Sequence, residues 1–263
     1  MNNIELNKVA IQSIGIDTIR LPGVGSASAK GSGSLFHKSL VDAWFMSGYS
    51  NDNPPASIKG YKGHELVLKN FAFTSNSGFG GSVDHSGGND EGKAASSYEG
   101  SLVFDGVDDY AVCYNMPIQT DYTVICRRQI ININNSSAVA SKRTYPNDIG
   151  FFGAFVIERV TANGSKALYS FGKDNAVDSF DSNQIIYQSK TAYNGKNLVA
   201  GDSSDTNILS LGANAYNLNL GRCQEFSNVA IYYFALYDKS LTPDEIEQEK
   251  IKLNEIWTKR LNR

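Results

Sequence analysis

Between residues 66 and 236 the chain breaks into ten short apolar or alternating segments, none longer than ten residues, separated by Gly, Asn, Asp, Ser and Pro. They cover 66–68, 102–104, 110–114, 122–126, 151–160, 167–171, 184–187, 208–211, 218–220 and 229–236. Segments of this length with turn residues at both ends read as strands. Since no helical pattern alternates with them, they predict an all-β sandwich rather than a parallel α/β sheet. Composition agrees, because Ser, Asn and Gly make up 78 of the 263 residues and favour turns over helix. Asn163-Gly164 reads as a hairpin turn and Asn194-Gly195 as a second. The polar stretches 76–97 and 177–183 read as surface loops.

One helix is expected, at the end. In Leu241-Thr242-Pro243-Asp244-Glu245-Ile246, Thr242 caps, Pro243 takes the first helical position, Glu245 closes the capping box and Leu241 staples to Ile246. Ile246, Leu253, Ile256, Trp257 and Leu261 then form one apolar stripe on a helix over 243–261, with Lys259, Arg260 and Arg263 at its end. Residues 1–38 differ from the rest. Ile4, Leu6, Ile11, Ile14, Ile16, Ile19 and Leu21 make no clean amphipathic face, and a Gly/Ser/Ala tract over 23–34 follows them. We read 1–38 as a docking or oligomerisation arm with its linker and 39–263 as the β domain. An arm so apolar needs cover from its own domain or from another chain, so a homo-oligomer, dimer or trimer, is expected.

Lys and Arg number 24 against 27 Asp and Glu, a formal charge of -3, and no basic run exists to track a phosphate backbone, so nucleic acid is not an expected partner. No apolar run has the roughly 18 residues of a membrane span, and no membrane partner is expected. The first residues lack the pattern of a signal peptide, which points to synthesis and assembly in a cytoplasm. Cys113, Cys126 and Cys223 are odd in number and have no CxxC spacing, as expected for buried free thiols.

Two segments carry a resemblance. The first is Phe104-Asp105-Gly106-Val107-Asp108-Asp109-Tyr110, followed by Met116-Pro117 and Asp121-Tyr122-Thr123-Val124. The second is Leu220-Gly221-Arg222, then residues 226–234, then the helix start at Leu241-Thr242-Pro243-Asp244-Glu245-Ile246. In this order they resemble the laminin-G-type, concanavalin A-like lectin/glucanase superfamily, which implies a jelly-roll sandwich of two antiparallel sheets over about 40–257. Residues 40–49 and 58–63 resemble laminin-G-like structural proteins of tailed, crAss-like bacteriophages of gut bacteria. This second resemblance implies a virion protein, such as a head fibre, a capsid decoration or a tail component, with other virion proteins as partners.

Glucanases on this fold carry an ExDxxE or ExDxE cluster, which puts alternate acids on one strand face, and no such cluster occurs here. His37, His64 and His85 have no apparent base or metal partner in the sequence, and the Gly-x-Ser fragments of the linker lack a strand before them and a helix after. The expectation is therefore a non-enzymatic virion protein displaying a lectin-like domain. A glycan-degrading enzyme and a host glycan-binding protein are the alternatives. No cofactor is expected, calcium aside. Some laminin-G-like domains hold calcium on rim loops, and Asp105, Asp108 and Asp109 are the candidate ligands, with Asp84, Asn89 and Asp90 as a second set. The ordinary alternatives are a hydrogen-bonded turn and a solvated loop. Sugar binding needs an exposed ring beside polar loop groups, and Tyr145, Tyr187, Tyr193 and Tyr216 are the candidates.

Overall fold

The strands form two facing sheets, and the longest are buried at consecutive positions because a helix covers the outer face of one sheet and a hairpin that of the other. The computed structural model describes residues 34–74, 76–80, 98–132, 136–145, 152–180 and 183–263. Ile4, Leu6, Ile11, Ile14, Ile16, Ile19 and Leu21 lie outside the described residues, as do Asp84, His85, Asn89 and Asp90. The chain divides into two units, Met1–Ser34 and Leu35–Arg263, and every described strand and helix belongs to the second. That unit begins before residue 39, because Phe36 is buried and meets Tyr61 edge-on with ring centroids 4.9 Å apart.

The elements are β1 (Leu40–Phe45), β2 (Ser57–Lys59), β3 (Glu65–Lys69), β4 (Gly78–Phe79), β5 (Leu102–Asp105) and β6 (Tyr110–Cys113). Then come β7 (Thr123–Asn132), β8 (Ala138–Tyr145), β9 (Phe152–Val160), β10 (Lys166–Ser170), β11 (Lys173–Ala176) and β12 (Asn183–Ser189). Next are β13 (Ala192–Tyr193), β14 (Lys196–Asn197), β15 (Leu209–Leu211), β16 (Ala213–Asn217), β17 (Arg222–Phe226), β18 (Asn228–Tyr237) and the helix α1 (Pro243–Leu261). One sheet runs β14-β13-β12-β7-β18-β5-β4, with β1 also on β18. The other runs β11-β10-β9-β8-β15-β6-β3-β2, with β16 joining β8 and β17. Pairing is antiparallel except where β16 meets β8, at Tyr216 opposite Thr144 and Asn217 opposite Tyr145. The long β18 organises the first sheet: one edge pairs with β7 along its length, and the other is shared by β5 and β1.

Trp44, Phe79, Phe104, Tyr122, Phe155 and Phe234 fill the space between the sheets. A second layer lies outside the first sheet, where Ile246, Leu253 and Trp257 of α1 pack on Phe45, Ile125, Tyr233 and Tyr237. The expected capping box is present, with Thr242 Oγ1 accepting from the Glu245 N–H and Glu245 accepting from the Thr242 N–H. The β16–β17 hairpin folds over the second sheet and covers Tyr110, Val112 and Ile208 with Tyr216 and Cys223. The expected strand at 218–220 is instead the turn of that hairpin. Asn217 Oδ1 accepts the Asn219 and Leu220 N–H groups at 3.0 and 3.1 Å, and Leu218 and Leu220 are exposed. All three cysteines are free and buried, as expected.

Candidate functional site

The four candidate tyrosines fall into two pairs on different sheets. Tyr187 and Tyr193 meet at a cleft of about 520 Å³ between the β12–β14 edge and α1. Tyr145 and Tyr216 lie at the parallel junction of β8 with β16. Two of the four do not present a ring to solvent. Tyr216 is 8% exposed, packed under the hairpin with its ring edge-on to Tyr114 at 5.7 Å. Tyr193 is 5% exposed because it stands opposite Gln188 on the inward face of its strand, where its hydroxyl bonds to Glu158. For both, the strand's alternation turns the ring inward although a loop lies close by in sequence.

Tyr187 is half-buried on the outward face of β12 and is held from three directions. Its hydroxyl accepts the Gly195 N–H at 2.7 Å, its own N–H donates to Asn194 Oδ1 at 2.9 Å, and its carbonyl accepts the Asn194 N–H at 3.1 Å. The Asn194-Gly195 turn can curl over the ring because both residues are left-handed, at φ 44° and 83°. From α1, Lys250 Nζ reaches over the ring, 5.3 Å from its centroid, and bonds Glu247 at 2.7 Å. Lys196, Gln184 and Ser179 complete the polar wall. Lys196, Lys250 and Glu247 were not legible as site residues. The Asn-Gly turn was the available signal, but it says nothing about the helix that closes the cleft.

Beneath the cleft floor lies a buried ionic cluster. Arg128 Nε donates to Glu158 Oε2 at 2.6 Å, its Nη2 bonds Glu158 Oε1, and the Tyr193 hydroxyl donates to the same oxygen. Glu158 reaches inward because it sits at a bulge of β9 with φ 49°, which breaks the alternation that would point it out. Burial, and then the Glu158 charge, push the Tyr193 hydroxyl well above its usual range and keep it a donor. A second buried pair, Lys142 with Asp205, is likewise tied down: Lys142 Nζ donates to the Pro117 carbonyl at 2.8 Å, and Asp205 accepts the Gln119 and Thr206 N–H groups.

Two histidines have carboxylate partners that the sequence did not reveal. His64 Nδ1 lies 2.9 Å from Asp42 Oδ2, and His37 Nε2 lies 3.4 Å from Glu245 Oε1. The first pair belongs to a corner rather than to a relay, because Asp42 also accepts the Ala43, Lys62 and His64 N–H groups at 2.7, 2.7 and 2.8 Å. Gly60 is required beside it, since a Cβ there would stand 2.5 Å from the carboxylate.

Asp105, Asp108 and Asp109 come together as expected, each with an oxygen within 4.8 Å of the others. Much of their capacity is already used. Asp105 Oδ1 accepts the Val107, Asp108 and Asp109 N–H groups at 2.8, 3.3 and 3.4 Å, and Asp109 Oδ2 accepts the Asp105 N–H at 3.0 Å. These bonds are the ones a hydrogen-bonded aspartate turn makes. Burial raises the Asp109 carboxyl to about 7, opposed by hydrogen bonds with Ser77 and Asp105 and helped by the charges of Asp105 and Asp108.

No family model matches this sequence, and no curated protein matches it. Among solved structures it is similar to Trypanosoma rangeli sialidase, with a TM-score of 0.51 at 12% identity over 85% of this chain and 34% of that one. The same sialidase in complex with sialic acid gives a TM-score of 0.50 at 11% identity, covering 85% and 34%. The ligand binding domain of botulinum neurotoxin serotype D gives 0.46 at 12% identity, covering 83% and 51%. The chain thus spans about a third of the length of the sialidases it resembles. What the sialidase likeness defines is the β-sandwich fold.

Proposed function

We propose that this chain is a non-enzymatic structural protein of a phage virion whose sandwich acts as a lectin-like module, meeting cell-surface or mucosal glycans in the cleft beside α1. The observation that carries the glycan part is the cleft. Its volume of about 520 Å³ suits a sugar, and a fixed aromatic side chain stands among amide, hydroxyl and ammonium groups. Among the described residues one carboxylate, Glu247, lines it, whereas glycoside hydrolysis ordinarily uses two flanking the bond, which supports binding over turnover. The buried acids Asp42, Glu158 and Asp205 are engaged by cations or backbone N–H groups. The virion part is supported by the resemblance of residues 40–49 and 58–63 to phage structural proteins and by the apolar arm. In this proposal the protein is made in the host cytoplasm and resides on the particle as a homo-oligomer, as a head fibre, decoration or tail component. A glycan array probed with the oligomeric full chain tests the binding, with Tyr187→Ala expected to weaken it. A blank array leaves a decoration protein. Turnover of oligosaccharides that a single Asp or Glu substitution abolishes makes it an enzyme. Peptide mass spectrometry of purified particles that finds no copies ends the virion assignment.

A further inference from the structure

We infer, resting on the glycan assignment above, that the cleft beside α1 selects an acidic sugar, one bearing a carboxylate or a sulfate, over a neutral one, with Lys196 and Lys250 as its counter-charges. A neutral pyranose gains most by laying its apolar face on a bare aromatic ring. The ring offered here is not bare, because the Lys250 ammonium stands over Tyr187, 5.3 Å from the centroid. Nor is the ring free to turn, since its hydroxyl is tied to the Gly195 N–H and its backbone to Asn194. A ligand entering the cleft therefore meets an ammonium where a neutral sugar needs a π face.

The charges point the same way. Among the described residues that line the cleft, Lys196 and Lys250 face Glu247 alone, one positive charge in excess on a chain whose formal charge is -3. Glu247 is no firm partner for Lys250: it lies three residues earlier on the helix with its side chain 67% exposed, the kind of pair that water and salt weaken. Lys196 is exposed and makes no ion pair among the described residues. An anionic group can draw Lys250 from Glu247 and take Lys196 as its second partner without leaving a buried charge unpaired.

The test compares glucuronate, glucose 6-sulfate and glucose on polyvalent carriers against the oligomeric full chain. Both acidic sugars are expected to bind about tenfold more tightly than glucose at low salt, with most of the advantage lost at high salt. Lys196→Ala and Lys250→Ala should each weaken the acidic ligands several-fold. Lys250→Ala, which uncovers the Tyr187 ring, should strengthen glucose binding. A carboxylate-specific or sulfate-specific site shows as a difference between the two acidic carriers. Equal binding of glucose and the acidic sugars, or a preference that survives both lysine substitutions, overturns the inference while glycan binding stands. Binding of no sugar, acidic or neutral, removes the glycan assignment and this inference with it.

Discussion

Tyr187 and Tyr193 border one cleft from opposite faces of their sheet, so their substitution should separate binding from stability. Tyr187→Ala removes a half-exposed ring and should cost glycan binding with a melting temperature within a few degrees of the parent. Tyr193→Ala should instead lower it by roughly 10 °C, because an emptied aromatic site costs about 3–5 kcal/mol and Glu158 loses a donor. Tyr193→Phe isolates that hydroxyl, at about 1–3 kcal/mol, and thermal melts of the three variants decide the assignment. Asp109 gives a prediction in pH. Its carboxyl is raised to about 7 when folded against 3.8 as the reference, so the folded state holds the extra proton between these values. Stability should therefore fall as pH rises from 4 to 7, by a few kcal/mol at most, and stay level above. Asp109→Asn, which can still accept the Asp105 N–H, should flatten that slope and melt higher than the parent at pH 8. Added calcium should leave the melting temperature of the parent unchanged, and a rise abolished by Asp109→Asn would instead establish an ion site.

Helix α1 shows how local chemistry and packing divide the labour within an element. Its start is set by contacts inside the segment, which is why Thr242, Pro243 and Glu245 mark it in the sequence before any partner is known. Thr242→Ala should cost about 1 kcal/mol, read by chemical denaturation. The Glu245 carboxylate is held down at about 2, first by the Thr242 N–H and then by Lys239, both of which favour its charged form. A depressed carboxyl lends stability above its ordinary pKa of 4.5 and loses it as pH falls toward 2, so Glu245→Ala should narrow its deficit against the parent across that window. The strands are less local. The segment 218–220 reads as a strand because Leu218 and Leu220 alternate with polar residues, whereas the Asn217 side chain bonding back to the chain and the left-handed Gly221 at φ 63° make it a turn. Glu158 is a comparable case: alternation along β9 directs it outward, and the bulge turns it inward to Arg128 on the opposite sheet.

At the scale of the whole molecule, Leu35–Arg263 closes its own core, with Trp44, Phe104 and Phe234 buried between sheets and Trp257 sealing the outer layer. Deleting residues 1–30 should therefore leave a folded, soluble domain with an unchanged far-UV spectrum and melting temperature. On our proposal the truncated chain no longer oligomerises or joins the particle, and unfolding on truncation would mean that the segment is part of the core. The class of fold, the C-terminal helix with its ends and the clustering of three aspartates around Gly106 were legible from sequence, since each rests on period, turn chemistry or neighbours a few residues apart. The cleft was legible in half. Tyr187 and the Asn194-Gly195 turn stand out along the chain, whereas Lys250 and Glu247 come from a helix some sixty residues later whose place against β12 depends on which sheet face its stripe covers. The pairing of Arg128 with Glu158, and of Asp42 with His64, was beyond the sequence for the same reason. The sequence by itself determined what nine of the ten short segments become, because period, turn chemistry and caps are decided by forces that reach one turn or one pleat. Only the tertiary structure decided which charges meet and which rings stay exposed, because those depend on the register and stacking of sheets that bring distant residues within a few ångströms.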